Sequence, residues 1–481
     1  MAGEGPGEAA RSWRLLGTLL LSSLAARVGL GWDEWGIYWP DEIHQSLEPA
    51  HRLVFGNGMV AWEFVDGARN WTFPGMVAAV LAACRAVGLD DPARYLRAVR
   101  LVFALGGVAA TWGAWRLARA LGASAFNAAA GASLFGLSAV PLYFAHRAMG
   151  ENASAPLVAW GLALACPAEA TRRQRWVGAM LLGLATLVRL HNAVFCAGVL
   201  AGWLLRRRWR EAAELAGVLA LWALAYGLLD RLTWGGWFHS AVKYLEFNLV
   251  KRGAEGWGTS PFGYFTETLW HAMPWAWLLM AGLALSAARR APGLVALSAG
   301  FFLLHAWTPH KELRFILPLL PVLAGLAGVG IQWLSEGVGW RRWVLPAVVL
   351  AASVQSAFQA RALTFGELGM YEGARPPGTS AWDDSGSVNR LLVAASRVEG
   401  LCALKVEGVH LAWTGGLSHL HRAVRLYPHN GPGRGSGLFS HVITPERAAR
   451  GEVVARDGGW ALVRLPGEGC RLDPGWSDRL P

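Results

Sequence analysis

The fold class predicted for this chain is a mainly α, polytopic membrane protein with a small C-terminal α/β domain, and three observations predict it. Of the 481 residues, 54% are hydrophobic and only 16% charged, where a soluble globular protein carries about 25% charged residues. The apolar residues are gathered into runs rather than spread evenly. At roughly 20 apolar residues per span, the length suffices for about a dozen helices. The third observation is that the last stretch, from about residue 360, has ordinary soluble composition. A soluble enzyme, a disordered protein and a disulfide-stapled secreted module are excluded. So is a transmembrane barrel, whose short strands would alternate in polarity.

The predicted spans, in order, are residues 13–30, 99–117, 125–144, 153–167, 176–188, 193–205, 215–229, 265–285, 292–307, 315–331 and 343–358. That makes about eleven helices. The first could pass for a signal peptide, but no small-residue cleavage site follows and further spans do, so it reads as a retained helix. Residues 73–87 are too short and interrupted to span and read as an outer interfacial or re-entrant hairpin. The arginines test this choice. With it, Arg116 and Arg119, Arg172 to Arg175, Arg206 to Arg210, Arg289 with Arg290, and Arg341 with Arg342 all fall on one face, as the positive-inside rule requires. Counting 73–87 as a span would scatter them.

The expected organisation is therefore a transmembrane domain over residues 1–360, with outer loops at 31–98 and 230–264, and an extracytoplasmic α/β domain over 361–481. In that tail, 387–398 reads as an amphipathic helix and 401–406 and 440–444 as strands. Residues 453–465 read as a hairpin turning at Asp457-Gly458. No periodic repeat is visible. Cys84, Cys166 and Cys196 lie in or beside apolar runs and read as inert. Cys402 and Cys470 could pair if the tail faces an oxidising compartment.

The net charge of +11 invites a nucleic-acid partner, which the clustering of arginines beside apolar runs argues against. Lysine is scarce (Lys243, Lys251, Lys311 and Lys405), while Ala, Gly and Arg are abundant, the bias of a GC-rich bacterial genome. The 27 tryptophans read mostly as interfacial anchors or packing, with a minority lining a sugar or lipid site.

The unusual polar residues fall on the outer face. The first loop, WPDEIHQSLEPAHRLVFGNGMVAWEF, carries Asp41, Glu42, His44, Gln45, Glu48, Trp62 and Glu63. HRAMGEN carries His146, Arg147, Glu151 and Asn152, and RLHN carries Arg189, His191 and Asn192. The loop after Leu229 holds Asp230, Arg231, Lys243, Tyr244, Glu246, Asn248, Lys251 and Arg252, and TPHKELRF holds His310, Lys311, Glu312 and Arg314. Any one of these alone is a solvated helix end. Five loops bringing both signs of charge to one face, at about 3 kcal/mol per charge near bilayer depth, point to a site.

The Asp41-Glu42 pair suits a general base on an acceptor hydroxyl. Arg147, Arg189, His310, Lys311 and Arg314 suit a lipid phosphate, through Arg forks and a Lys point charge. As preorganised cations they would stabilise a phosphate leaving group. No Walker A loop, H-E-x-x-H zinc helix or Asp-x-Asp ion motif occurs, so no metal or cofactor is expected.

HKELRFILPLLP, residues 310–321, resembles the HKEERF-type signature of the family-22 glycosyltransferases. These are the dolichyl-phosphate-mannose-dependent mannosyltransferases that build GPI anchors and N-glycan precursors. WPDEIHQSLEPAHRLVFGNG followed by AWEF resembles their N-terminal PDE-x-x-Q-x-x-E-x-A-H stretch. Weaker echoes are Arg69 with Pro74, Arg147 with Asn152, Arg189, and the segment Tyr244 to Tyr264, which resembles the family's long lumenal loop. The resemblance covers roughly residues 32–321. RLHN departs from the usual R-P-T, and HRAMGEN from R-T-x-S-N.

What the resemblance implies is a GT-C membrane fold and an inverting hexosyl transfer, of mannose, with no obligatory metal. The donor would be a polyprenyl-phosphate sugar and the acceptor a glycolipid or glycan. Composition adds the expectation of a bacterial source, and the arginine topology that of a multi-pass inner-membrane protein whose site faces the periplasm. Asp41 would be the base, Glu42 a positioning or acceptor-binding carboxylate, and Arg147, Arg189, His310, Lys311 and Arg314 the donor-phosphate ligands. His44, Gln45, Trp62, Glu63, Arg69, Trp71, Glu246, Asn248 and Glu312 are the expected substrate contacts, with Trp62 and Trp71 as sugar-stacking surfaces. Two other readings remain open. One is a different GT-C transferase, for protein O-mannosylation or a lipid A aminosugar, although these lack HKELRF. The other is a lipid transporter or flippase, which would need matched half-repeats that are not visible.

Overall fold

The structure is a computed structural model that describes residues 6–337, 339–370, 376–382, 384–467 and 470–480. It divides into two compact units, residues 1–31 with 101–379, and residues 32–100 with 380–481. The division differs from the expected single border after residue 360. The stretch expected as an outer loop of the helical domain packs with the C-terminal tail instead, because Met59 is buried in the same core as Leu392, Leu404, Leu426 and Ile443.

In the helical unit each expected apolar run carries helix, although the helix expected over 315–331 begins only at Leu320. The helices Pro6–Gly31, Pro92–Ala120, Trp209–Trp234 and Arg341–Gln359 include the four stretches long and apolar enough to cross a membrane among the described residues. Shorter helices at Gly150–Ala165, Arg172–Val188, Ala193–Leu205, Pro292–Trp307 and Leu320–Ser335 fill the bundle. Residues 73–87, expected as a hairpin, instead belong to one continuous helix, Thr72–Ala86, in the second unit.

Two expected spans are broken, each for a local reason. The run 265–285 divides into Tyr264–Ala272 and Pro274–Ser286 because Met273, which precedes a proline, is driven to φ −155° and ψ 62°. The run 125–144 divides into Ala125–Gly136 and Ala139–Tyr143. There Ser23 Oγ donates to Gly136 O at 2.9 Å, and the buried Arg27 donates to Pro141 O at 3.1 Å and Phe135 O at 3.4 Å. Side chains of the first helix thus satisfy carbonyls around the break, the condition for irregular backbone inside a bundle.

Close packing depends on small residues. A Cβ added at Gly131 would come within 2.3 Å of Gly328 N, so Ala125–Gly136 and Leu320–Ser335 meet backbone to backbone. The helices also have two chemically distinct ends. Arg172, Arg175 and Arg210 all pair with Glu214, and Arg290 pairs with Glu336. The helix that starts at Arg172 ends on Arg189, about 25 Å away at 1.5 Å per residue over its 17 residues.

The second unit carries a five-stranded sheet: β1 Ala403–Val406, β2 Arg425–Tyr427, β3 His441–Pro445, β4 Glu452–Asp457 and β5 Trp460–Arg464, in the order β2-β1-β3-β5-β4. β1 runs parallel to β2 and β3, while β5 is antiparallel to β3 and β4. The helix Gly386–Ala395 covers it through Val388, Leu391 and Leu392. The expected helix, strands and hairpin are all found, and β2 is added. Cys402 and Cys470 form a disulfide with Cα atoms 5.9 Å apart, within the usual span. Replacing Cys402 with Ser should lower the stability of this unit by about 4 kcal/mol, from the entropy of a loop this long. Thermal unfolding monitored with and without reductant checks it, since reductant should affect only the unsubstituted protein.

Candidate functional site

In the helical unit the sequence-predicted cations gather around two carboxylates. The segment after Pro292–Trp307 turns through His310, Lys311 and Glu312 into a short 3-10 turn, Leu313–Ile316. Arg314, 3% exposed, forks onto Glu312 through Nε at 2.7 Å and Nη2 at 3.0 Å. Its Nη1 also lies 3.8 Å from Glu151 Oε1, and Arg189 Nη2 donates to that same oxygen. Glu151 is fully buried at the start of Gly150–Ala165. Gly150 allows the approach, since a Cβ there would meet Arg189 Cδ at 2.8 Å.

The loop 258–260 supplies the other half of the frame. His310 Nδ1 donates to Gly258 O at 2.9 Å, and Nε2 lies 3.2 Å from Glu312 Oε1. Burial disfavours the imidazolium, but the Glu312 hydrogen bond and charge outweigh it and hold the pKa above the usual histidine value. Lys311 Nζ donates to Ser260 O at 2.6 Å, and burial alone lowers its pKa. Arg147, fully buried, lies over the Tyr143 ring at 4.3 Å, while Asn152 Nδ2 braces the turn by donating to Phe144 O and Arg147 O. Arg189, Arg314 and His310 thus meet the two carboxylates, Arg147 and Lys311 stand on the same segments, and the basic side chains outnumber the acidic ones.

Not every expected residue joins this cluster. Glu246 pairs with Lys251 at 2.9 Å and Lys243 at 3.8 Å, and Asn248 Nδ2 donates to Tyr244 O, contacts that build their own helical turn. Conversely, the sequence reading gave Glu151 no role. Its partners lie 38 and 163 residues away, and the only signal was that a carboxylate stands in HRAMGEN beside a predicted span. An apolar cavity of about 180 Å³ opens nearby, lined by Leu187 and Leu190 on either side of Arg189 in sequence, with Trp222, Tyr226 and Phe238.

The acidic loop belongs to the second unit and is described there. Asp41 and Glu42, adjacent in sequence, part company. Glu42 is buried and accepts from Tyr38 N at 3.1 Å, so it braces the loop. Asp41 is half-buried, ahead of the π-helical turn Ile43–Leu47 and helix Glu48–Phe55. Gln45 Nε2 donates to Glu63 Oε1 at 2.7 Å, and Arg69 lies 3.7 Å from the same oxygen. Burial raises the Glu63 pKa despite the Arg69 charge. His44 is buried, with its pKa pushed down to about 4 by burial against the pull of Asp41, so at neutral pH it is no cation. Trp71 packs on Phe64 with centroids 5.0 Å apart, and Trp62 opens the short helix Trp62–Val65 half-buried.

Glu48 is the anchor of this loop. It is fully buried, accepts from Ser418 N at 2.6 Å and from Met59 N, and burial raises its pKa to about 7. Gly416, at φ +56°, makes room for it, since a Cβ would meet Glu48 Oε1 at 2.6 Å. Among the described residues no group of three metal-ligating side chains assembles.

A bundle of apolar helices with a buried charge cluster, joined in one chain to a small mixed sheet, defines a polytopic membrane protein of the GT-C fold. The chain belongs to the Alg9-like mannosyltransferase family, whose model matches residues 30–366. It is 30% identical to GPI mannosyltransferase 3 of Yarrowia lipolytica over 348 residues, which cover 69% of this chain and 65% of that one. It is 28% identical to Mannosyltransferase APTG1 of Arabidopsis thaliana over 60% of this chain and 54% of that one. The chain therefore spans about 54–65% of the length of these curated relatives. Among solved structures, ArnT from Cupriavidus metallidurans bound to undecaprenyl phosphate matches with TM-score 0.60 at 14% identity, covering 98% of this chain and 100% of that one. The Archaeoglobus fulgidus oligosaccharyltransferase AglB in complex with an inhibitory peptide and a dolichol-phosphate matches with TM-score 0.53 at 12% identity, covering 92% and 70%.

Two outcomes follow from these geometries. Glu151→Gln removes the charge shared by Arg189 and Arg314 and should cost about 3–5 kcal/mol, the price of breaking a buried pair. Adding Arg189→Gln should return part of the loss in the same thermal melt.

The second concerns pH. In the second unit His44, His51, His410, His419, His421 and His441 all have pKa values lowered first by burial. Their stability is present above the unfolded value near 6.5 and is lost as pH falls towards the depressed values, about 4 for His44 and His51. Glu48 and Glu63 act in the opposite sense, losing stability as pH rises through their raised values. Six groups outweigh two, so this unit should lose on the order of 1–3 kcal/mol per pH unit between pH 6.5 and 5. Unfolding followed by hydrogen exchange across this range measures it, and Glu48→Gln should steepen the loss.

Proposed function

We propose that this protein is an integral-membrane mannosyltransferase. It moves a hexose, mannose, from a polyprenyl-phosphate donor to a glycolipid or glycan acceptor, inverting the anomeric centre, on the extracytoplasmic face of the cell membrane. The observation that carries the reading is the buried, net-positive cluster of Arg147, Arg189, His310, Lys311 and Arg314 around Glu151 and Glu312. Charges this deep are costly without a purpose, and a phosphate monoester is the anion they suit.

In the proposed reaction Asp41 takes the proton of the acceptor hydroxyl. The hydroxyl oxygen attacks the anomeric carbon, the bond from that carbon to the phosphate oxygen breaks, and the prenyl phosphate leaves with the electron pair. Lys311, whose ammonium donates to the carbonyls of Ser260 and Pro309, and Arg147 stabilise the charge developing on the leaving phosphate. Arg189 and Arg314, already bound to carboxylates, define the shape of the pocket. The apolar cavity lined by Leu187, Leu190, Trp222 and Phe238 suits the first isoprene units of the donor. The undecaprenyl phosphate bound to ArnT and the dolichol-phosphate bound to AglB support that donor class. The arginine-rich helix ends, facing away from the cluster along Arg172–Val188, support the extracytoplasmic side by the positive-inside rule. The disulfide supports an oxidising compartment.

The test is to incubate membranes with a panel of polyprenyl-phosphate sugars and identify products by mass spectrometry. Polyprenyl-phosphate mannose should be the donor consumed. Asp41→Asn should lower turnover by about 10²–10⁴-fold, the contribution of a general base, with expression and donor binding kept. Lys311→Met should weaken turnover while leaving acceptor binding intact. Wild-type turnover by the purified Asp41→Asn protein ends the assignment of the base.

A further inference from the structure

The last residues of the chain carry no regular secondary structure beyond a bridge to residue 60, yet they are fixed at both ends. The Cys402–Cys470 disulfide holds the start. Arg425 Nη2 donates to Arg471 O at 2.6 Å, and Trp476 Nε1 to Leu426 O at 3.3 Å. At the far end Val60 N donates to Asp478 O at 2.8 Å and Leu480 N to Val60 O at 2.9 Å, while Arg52 pairs with Asp478. A covalent tie and these polar contacts fix an otherwise irregular segment against the sheet. What it encloses is a cavity of about 320 Å³, at the lower end of the roughly 300–1,000 Å³ of small-molecule sites.

The lining of the cavity narrows its ligand. Leu411 and Leu426 form an apolar floor, and Trp476 and Tyr427 contribute aromatic surface. Asp473, Ser477 and Arg479 bring polar groups to the same space. Tyr427 Oη donates to Asp473 Oδ2 at 2.9 Å, and Asp473 Oδ1 accepts from Gly475 N at 3.0 Å, so the carboxylate is oriented rather than free to swing. A carboxylate and a guanidinium in one small cavity disfavour an anion and a cation alike. A neutral molecule with an apolar face and a rim of hydroxyls satisfies the aromatic surface and both charges at once.

We infer that this cavity is a saccharide-binding pocket for one or two neutral hexose units. It is separate from the charge cluster and carried wholly by the second unit. Resting on the mannosyltransferase reading above, it is a subsite for the glycan of the acceptor, held by the segment that the disulfide fixes.

The test uses the full-length protein in detergent, titrated calorimetrically with α-1,2-linked mannobiose and with neutral non-mannose disaccharides as comparisons. The expected result is saturable binding of mannobiose, weakened about tenfold or more by Trp476→Ala, a loss of at least 1.4 kcal/mol. Because Trp476 also packs against the sheet, Arg479→Ala serves as a second variant, an exposed side chain whose removal leaves the fold intact. It should weaken binding several-fold with an unchanged melting curve, whereas reduction of Cys402–Cys470 should weaken binding together with the loss of thermal stability expected above. Absence of mannobiose binding in the unsubstituted protein overturns the pocket, as does undiminished binding by both variants. A protein that transfers mannose but binds mannobiose independently of Trp476 and Arg479 keeps its function and loses the pocket. One that binds through them but transfers nothing keeps the pocket and loses the function.

Discussion

The carboxylate of Glu151 has no access to water, and that constraint organises the charged end of the helical unit. An isolated buried carboxylate costs several kcal/mol even after relaxation, so it must be met by cations. Arg189 from the end of one helix and Arg314 from the turn after another meet it at the same oxygen. Each guanidinium in turn fixes the backbone it hangs from. Arg314 binds Glu312, Glu312 binds His310, and His310 and Lys311 tie to the carbonyls of Gly258 and Ser260. Four separate segments are thereby held by one chain of ionic contacts.

The same constraint works in the second unit with less charge. Glu48, Glu42 and Glu63 are all buried, and each is satisfied chiefly by backbone N–H groups or by a short amide bond from Gln45. An acidic pair that looks symmetric in sequence is therefore asymmetric in burial: Glu42 is buried and accepts from Tyr38 N, while Asp41 is half-buried. In the proposed reaction Asp41 is the member that takes the proton of the acceptor hydroxyl.

Much of the fold was legible because hydrophobic runs and turn signals are local. The tail helix, four of the five strands with the hairpin at Asp457-Gly458, and the helical character of the apolar runs were readable within a residue window. What was not readable depended on partners distant in sequence. The helix breaks at Met273 and after Gly136 needed Pro274 in one case and Arg27 in the other. Residues 32–100 looked like a loop of the membrane domain because their one long apolar run, 73–87, is too short and interrupted to span, and the burial of Met59 and Glu48 against the tail shows where they pack. β2 is three residues long, too short to give a period. In the site, the identities of the cations were legible and their pairing was not, since a carboxylate beside a predicted span looks the same whether it caps a helix or collects two arginines.

The pairing matters for the proposed chemistry because the anion changes during the reaction. A prenyl-phosphate sugar is a phosphodiester with one negative charge, whereas the prenyl phosphate left behind is a monoester carrying about −1.5 to −2 near neutral pH, with a second pKa near 6. A cluster of five unopposed cations would hold the product far more tightly than the substrate and stall each turnover. Glu151 and Glu312 pair with Arg189 and Arg314, so part of the positive charge is balanced before any phosphate arrives. Under the proposed reaction, the smaller net field would still favour the charge that develops at the transition state, and it would narrow the difference between substrate and product affinity. The carboxylates would then act on turnover without touching the bond that breaks.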